Sequence, residues 1–206
     1  MSRVVTEIVQ IPFKADAAID IDSVVDKLIA KISEQEGFLR VKWGRWDEEP
    51  SKVQMMINWM DISYHQAFMA GPAYPGLLSV IEGLLSSAPT IIHVHFDEKT
   101  INKVLEGPLL EVITYFAVTE GFEEAVQKAM NAGLQVEGCL GYARGNVVEE
   151  IAINETEAKG KAHYAAVSWA SEQARAGAFA SDEVKESGLG VVKSIGGYEM
   201  HHVKFQ

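Results

Sequence analysis

The sequence contains two copies of one pattern, and this duplication limits the possible folds more than any other feature. In the first copy an apolar run ends at Trp59, a capping residue follows, and helical spacing leads to Phe68. In the second copy the same order runs from Ala166 through Trp169 to Phe179. A single echo of this kind can arise by chance, so the neighbouring segments decide whether the chain is duplicated.

The neighbouring segments repeat in the same order. Residues 36–44 match residues 137–145, and both segments begin with Glu-Gly. The first half closes on residues 93–96 and the second on residues 202–205, which are similar apolar segments that begin with histidine. Several landmarks in one fixed order indicate an internal duplication.

Each copy alternates between strand and helix periodicity in the order β-α-β-β-α-β. That order is typical of the ferredoxin-like split βαβ motif, which places the protein in the α+β class. The third strand carries apolar residues on both faces, among them Met55 and Met56, so both faces of the sheet need cover. We therefore predict two tandem ferredoxin-like repeats whose antiparallel sheets pack against each other as a barrel with the helices outside.

Composition suggests where the two repeats meet. Repeat 1 is expected to cover residues 1–97 and repeat 2 residues 110–206. Residues 98–109 are polar and include a Gly-Pro pair, which is typical of a linker. Because the fused repeats would supply each other with a sheet contact, the protein is expected to be a monomer or a homodimer.

Charge and cysteine content exclude several classes of partner. A formal net charge of −11 argues against nucleic acid and against anionic membrane surfaces, which both attract clustered Lys and Arg. The single cysteine, Cys139, excludes an intrachain disulfide and suits a reducing compartment. The sequence shows neither a signal peptide nor an apolar run of membrane-spanning length. A cytoplasmic protein without a membrane partner is expected.

Several short segments point to a known family. They are Glu36-Gly37-Phe38 before the second strand, Trp59 at the end of the third, His65 and Phe68 on the next helix, and Pro72-Ala73-Tyr74 after it. On these segments the chain resembles the dimeric α/β-barrel superfamily, and within it the antibiotic-biosynthesis monooxygenase (ABM) domain in a fungal-type tandem repeat. The resemblance implies a fused dimeric α/β barrel and a role in secondary metabolism. Relatives include cofactor-independent oxygenases of polycyclic phenols, isomerases and haem-degrading enzymes.

Histidines are the main candidates for catalysis. His93 and His95 lie two apart on a strand, so their side chains point to one face, which is either solvent or the barrel interior. His65 follows Trp59 on a helix, where it is either a partly exposed residue or a general base at a pocket mouth. We predict these three histidines as catalytic residues. A His-x-His pair lacks the further ligands that a metal site needs, so no metal is predicted.

Five further residues are predicted to bind the substrate. Trp59 and Trp169 end matching strands and are either core residues or part of a pocket wall. Glu7 and Glu111 interrupt apolar first strands at matched positions, either as edge charges or as carboxylates directed into the barrel. His202 takes the place of His93 in the second copy and is expected on the same face.

Together these residues favour an enzyme that works without a bound cofactor. An apolar cavity would hold a hydrophobic aromatic or polyketide-like molecule, and a histidine would remove a phenolic or α-carbonyl proton. The resulting anion would react with oxygen as in a monooxygenase, isomerise or cyclise. Because His65 becomes Arg175 in the second copy, the active site is expected in the first repeat.

Two alternatives from other functional classes stay open at this point. One is a non-catalytic small-molecule-binding or stress-related barrel, since a fold does not specify a function. The other is a haem-binding protein, which is disfavoured because Met69 and Ala70 stand where the haem-degrading relatives have a histidine.

Overall fold

The computed structural model describes residues 3–15 and 18–206, in which strands and helices follow the duplicated order. The chain divides into a first unit, residues 1–95 with Gln206, and a second unit, residues 96–205. The first unit contains β1 (Val5–Pro12), α1 (Ile21–Ser33), β2 (Phe38–Arg45), β3 (Lys52–Trp59), α2 (Ile62–Ala70), α3 (Tyr74–Ile81) and β4 (Thr90–Val94). The second contains α4 (Glu98–Val104), β5 (Leu109–Phe116), α5 (Phe122–Leu134), β6 (Cys139–Asn146), β7 (His163–Trp169), α6 (Glu172–Ala180), α7 (Asp182–Val192) and β8 (Gly197–Val203). No helix in the described ranges is long and apolar enough to span a membrane.

Each unit builds its strands into a four-stranded antiparallel sheet. The strand order is β2-β3-β1-β4 in the first unit and β6-β7-β5-β8 in the second, so the first strand of each unit lies between its third and fourth. This order is the ferredoxin-like topology, which confirms the predicted α+β class of both repeats. The fused barrel predicted from the two apolar sheet faces stays a prediction.

The long helix of each unit is amphipathic and buries one face. In α1, Val25, Leu28 and Ile32 recur at helical spacing and are all buried. The side chain of Asp20 caps this helix by accepting a hydrogen bond from the backbone N–H of Ser23 at 3.2 Å. The matching helix α5 has the same length of 13 residues, so the two helices align position by position.

The sheet registers place matched polar residues next to each other. In the first unit Glu7 pairs with His93 between β1 and β4. In the second unit Glu111 pairs with His202 between β5 and β8. Directly opposite residues in a sheet point to the same face. Each sheet therefore presents one carboxyl group beside one histidine.

The segment assigned to a linker, residues 98–109, contains a helix that belongs to the second unit. Its helix α4 begins after Asp97, whose carboxylate accepts a hydrogen bond from the backbone N–H of Thr100 at 2.9 Å. Ile101, Val104 and Leu105 are buried at a spacing of three and four residues. This apolar spacing is the signal that the polar composition of the segment obscured.

Candidate functional site

Four elements of the first unit bring together a carboxylate, two imidazoles and an indole. The Trp59 indole Nε1 donates a hydrogen bond to Glu7 Oε2 at 2.8 Å. The other carboxylate oxygen of Glu7 lies 3.3 Å from His65 Nε2. His65 Nδ1 and His93 Nε2 are 2.8 Å apart, and the tautomers decide which one donates. The structure thus unites four of the residues predicted from the sequence as catalytic or substrate-binding.

This first-unit cluster is a closed network. All four residues are at most 5% exposed, and the Trp59 ring stacks on the His65 ring with centroids 5.3 Å apart. Both ring nitrogens of His65 already face a partner within the cluster. A proton can move between Glu7, His65 and His93, but His65 has no ring nitrogen directed at a substrate. The arrangement therefore suits a structural role better than that of a general base.

The cavity beside this cluster is small, with a volume of about 60 Å³. Its wall includes Glu7, Trp59 and His65, together with Leu28, Ile32, Phe68 and Tyr74. By comparison, an engineered apolar cavity of about 150 Å³ binds benzene, so this space is well below the size that holds one aromatic ring. Burial and the nearby charge of Glu7 raise the pKa of Tyr74, which keeps its phenol protonated. The first unit therefore has acid–base groups but little room for a substrate.

The second unit places a different set at the matched positions. Glu111 takes the place of Glu7, Trp169 that of Trp59, and Arg175 that of His65. Arg175 Nη1 lies 3.7 Å and His202 Nε2 3.5 Å from Glu111 Oε2. Among the residues that the structure describes, neither this carboxylate oxygen nor the Trp169 indole N–H has a hydrogen-bond partner. The duplicated network is open in this unit.

A larger cavity, with a volume of about 260 Å³, adjoins this open set. Glu111 and Trp169 are part of its wall, and most of the other lining residues are apolar. The extra room follows from four positions at which the second unit has a smaller residue than the first. The matched pairs are Leu28 and Ala129, Ile32 and Gly133, Phe38 and Cys139, and Phe68 and Ala178.

The cavity contains further ionisable groups that remain neutral. Burial raises the pKa of Tyr115, and the nearby charge of Glu111 raises it further. Burial also raises the pKa of the Cys139 thiol. A protonated phenol and a protonated thiol accept no proton at neutral pH. Of Glu111, Tyr115 and Cys139, Glu111 is therefore the residue that can act as a proton acceptor in the cavity.

The remaining predictions fall in different places. His95 Nδ1 lies 3.0 Å from the carbonyl oxygen of Val4, and His95 lines neither cavity. His202 stands beside Glu111 as expected from the duplication. Phe179 does not match Phe68, because the caps Asp61 and Ser171 align the helices so that Ala178 does.

Two residues of the second-unit site were not predicted from the sequence as site residues. Arg175 was visible only as the replacement for His65, and Tyr115 had no distinguishing signal in an apolar strand. The sheet register brings Tyr115 and Glu111 to one cavity wall, and helix α6 brings Arg175 to 3.7 Å from Glu111. In the described part of the chain, no group of three His, Cys, Asp or Glu residues is placed to hold a metal ion.

Known structures share this fold over nearly the whole chain. An anthrone oxidase-like protein aligns with a TM-score of 0.73 at 16% identity, covering 100% of this chain and 94% of that one. A candidate monooxygenase from Fusobacterium nucleatum aligns with a TM-score of 0.65 at 11% identity, covering 99% and 93%. Another from Lactobacillus acidophilus aligns with a TM-score of 0.61 at 11% identity, covering 98% and 94%. At these identities the similarity shows the fold alone.

Sequence comparison supports the same relationship. A comparison with curated proteins found no match. A family model does match residues 4–75, and its description is antibiotic biosynthesis monooxygenase. That span includes Glu7, Trp59 and His65 of the first-unit cluster. Residues 4–75 are therefore similar to the antibiotic biosynthesis monooxygenase family, within a chain that has a tandem ferredoxin-like fold.

Proposed function

We propose that the chain is a cofactor-independent enzyme that acts on an aromatic or polyketide-like molecule bound in the second-unit cavity. One observation carries this proposal: the cavity is large and apolar, and a buried carboxyl group, Glu111, forms part of its wall. Buried ionisable groups beside apolar pockets are the usual setting of acid–base chemistry.

The size of the cavity supports a ligand with more than one ring. An engineered apolar cavity of about 150 Å³ is enough to bind benzene. The second-unit cavity has about 260 Å³, whereas the first-unit cavity has about 60 Å³. The larger volume supports the second unit as the place where such a substrate binds.

The chemistry would begin with a proton transfer to Glu111. A carboxylate that faces the substrate can remove a proton from a phenol or from a carbon next to a carbonyl group. The positive charge of Arg175, whose Nη1 is 3.7 Å from Glu111, helps to balance the negative charges in the site. The substrate anion can then give electrons to dioxygen, or take its proton back at another carbon.

Anthrone is a suitable first test substrate because an anthrone oxidase-like protein shares the fold. Anthrone and dioxygen give anthraquinone and water, so the product absorbance and the oxygen consumption can both be followed. We expect turnover above the rate without protein. Glu111→Gln should lower kcat by about 10²- to 10⁴-fold, the usual contribution of a general base.

A cavity-filling variant tests the location of the site. Gly133→Ile introduces the residue that the first unit has at this position, and a Cβ at Gly133 meets no atom within 4 Å. The added side chain should occupy the cavity and abolish turnover. Gly177→Ile is the matched control, because Gly177 is an exposed helical glycine that does not line the cavity. Equal turnover in both variants would place the reaction elsewhere.

The role of His65 is tested in parallel. We expect His65→Ala to lower stability while each folded molecule keeps its activity, since His65 belongs to the closed first-unit cluster. A folded His65→Ala protein without activity would support the base role predicted from the sequence. If no variant or substrate gives turnover but ligands still bind in the cavity, the protein is a binding protein.

A further inference from the structure

Two buried polar atoms in the wall of the second-unit cavity, Glu111 Oε2 and Trp169 Nε1, make no hydrogen bond within the described residues. Arg175 and His202 lie 3.7 Å and 3.5 Å from Glu111 Oε2, beyond good hydrogen-bond distance. Glu111 and Trp169 are each 4% exposed. Among the described residues, Glu111 Oε2 accepts no hydrogen bond and Trp169 Nε1 donates none. Leaving such groups without a partner is unfavourable, and water or a ligand normally supplies the missing contact.

The first unit shows what the same two residue types do when they meet. There Trp59 Nε1 donates directly to Glu7 Oε2 at 2.8 Å. In the second unit the strand register puts Trp169 opposite Leu109, two residues before Glu111 on β5. Trp169 and Glu111 are thus diagonal neighbours on adjacent strands, and both line the cavity. The direct hydrogen bond of the first unit is absent, and cavity space adjoins both groups.

The missing partner must satisfy a donor and an acceptor together. The indole N–H needs an acceptor, and the carboxylate needs a donor. A hydroxyl group, including that of an enolised ketone such as anthrone, offers both on one oxygen, whereas an ether or a ketone that does not enolise offers only an acceptor. A carboxylate or phosphate would bring a second negative charge next to Glu111, whereas the one positive charge of Arg175 at 3.7 Å balances Glu111 alone.

We infer that the ligand of this cavity is an uncharged, largely apolar molecule with a hydroxyl group that bridges Trp169 Nε1 and Glu111 Oε2. This inference rests on the proposed function, since it takes the second-unit cavity as the substrate site. It narrows the substrate to hydroxyl-bearing molecules of about two or more rings. Trp169 is assigned the role of the donor that holds the oxygen when its proton moves to Glu111.

Three matched probes test the inference by binding alone. The probes are 2-naphthol, 2-methoxynaphthalene and 2-naphthoate, which share a ring system and differ in the polar group. Isothermal titration calorimetry at neutral pH gives their dissociation constants. We expect 2-naphthol to bind roughly tenfold or more tightly than 2-methoxynaphthalene, which is the effect of one hydrogen bond to a charged group. We expect 2-naphthoate to bind most weakly.

Variants of the two polar residues should change this order in different ways. Trp169→Phe should weaken the binding of 2-naphthol and of 2-methoxynaphthalene by a similar factor, because the oxygen of each probe accepts a hydrogen bond from the indole N–H. Glu111→Gln should reduce the preference for 2-naphthol and should strengthen the binding of 2-naphthoate. Circular dichroism and thermal melting show whether each variant is folded, and either variant alone can test the inference.

Cavity-filling controls locate the binding. Gly133→Ile should abolish the binding of all three probes, and Gly177→Ile should leave it unchanged. Equal affinity of wild-type protein for 2-naphthol and 2-methoxynaphthalene would overturn the inference, as would binding that survives in Gly133→Ile. A hydroxyl preference without turnover of any substrate would leave the ligand class in place and remove the proposed catalysis.

Discussion

The two units have the same topology, yet they use matched positions in opposite ways. The first unit joins Glu7, Trp59, His65 and His93 by contacts of 2.8 to 3.3 Å and fills the adjacent space with large side chains. Within the described residues, the second unit leaves Glu111 Oε2 and Trp169 Nε1 without a hydrogen bond beside a cavity of about 260 Å³. Duplication thus produced one closed core and one open pocket from a single fold.

The difference teaches that acid–base residues alone do not identify an active site. Histidines drew attention to the first repeat, where each polar group already has a partner and space is small. The second repeat has the same number of histidines, but its cavity combines room with buried polar atoms that make no hydrogen bond within the described chain. Unfulfilled hydrogen bonds beside an apolar cavity are the stronger indication of a ligand site.

Truncating the two matched glutamates gives the largest expected effect. Glu7→Ala should lower the free energy of unfolding by about 3–5 kcal/mol, because it leaves the Trp59 N–H and His65 without their buried partner. Glu111→Ala should lower the free energy of unfolding by less than half of that amount, since Glu111 Oε2 accepts no hydrogen bond from the described residues. Urea denaturation followed by circular dichroism measures both. Equal losses would mean that the first-unit network adds no stability.

The two units should differ in the pH dependence of their stability, because the second unit has His163 where the first has Val53. Burial lowers the pKa of His163 to about 4 from an ordinary value of 6.5. Between these values the unfolded chain binds a proton that the folded protein does not. The free energy of unfolding therefore falls as the pH drops from about 6.5 to about 4, by at most about 3 kcal/mol.

Replacing His163 with the residue of the first unit should remove this dependence. His163→Val and wild-type protein are compared by urea denaturation from neutral pH down to about pH 4. The difference between the two free energies should change across that range and level off outside it. A constant difference would show that His163 is protonated equally in the folded and unfolded chains.

The two tryptophans provide a smaller, matched contrast. Trp59→Phe and Trp169→Phe remove the same atoms from buried positions, but only Trp59 loses a hydrogen bond to a carboxylate. The first variant should therefore lose about 1.5–3 kcal/mol more than the second. Chemical denaturation of the two proteins gives this difference directly. A larger loss for Trp169→Phe would contradict the open arrangement.

The smallest expected effect is a gain in stability at the cavity wall. Gly133→Ala should stabilise the protein by up to about 1 kcal/mol, because alanine is the better helix former and its Cβ meets no atom within 4 Å. Gly177→Ala should give a similar gain on an exposed helix face. By contrast, Gly138→Ala should destabilise, since Gly138 has φ 86° and a Cβ there would overlap the Cβ of Ala174. Thermal melting of the three variants measures these changes in stability.

Much of the fold could be predicted because its signals are local. Apolar periodicity, caps such as Asp61 and Ser171, and the repeated landmarks determine the strands and helices in order. The same periodicity was present in α4 but was hidden by the polar residues between Ile101 and Val104. Residue type alone matches Phe68 with Phe179. The helix caps show that Phe68 matches Ala178, one position earlier.

The sequence by itself determined the duplication, the ferredoxin-like order of elements and the residue types at matched positions. Tertiary structure alone decided which of those residues meet. Hydrogen bonding depends on a few tenths of an ångström between atoms more than 50 positions apart in the chain, as for Glu7 and Trp59. Cavity volume depends on how side chains from several elements fill a shared space, as at Leu28 and Ala129. Neither quantity has a local signature, so only the packed chain distinguishes the closed unit from the open one.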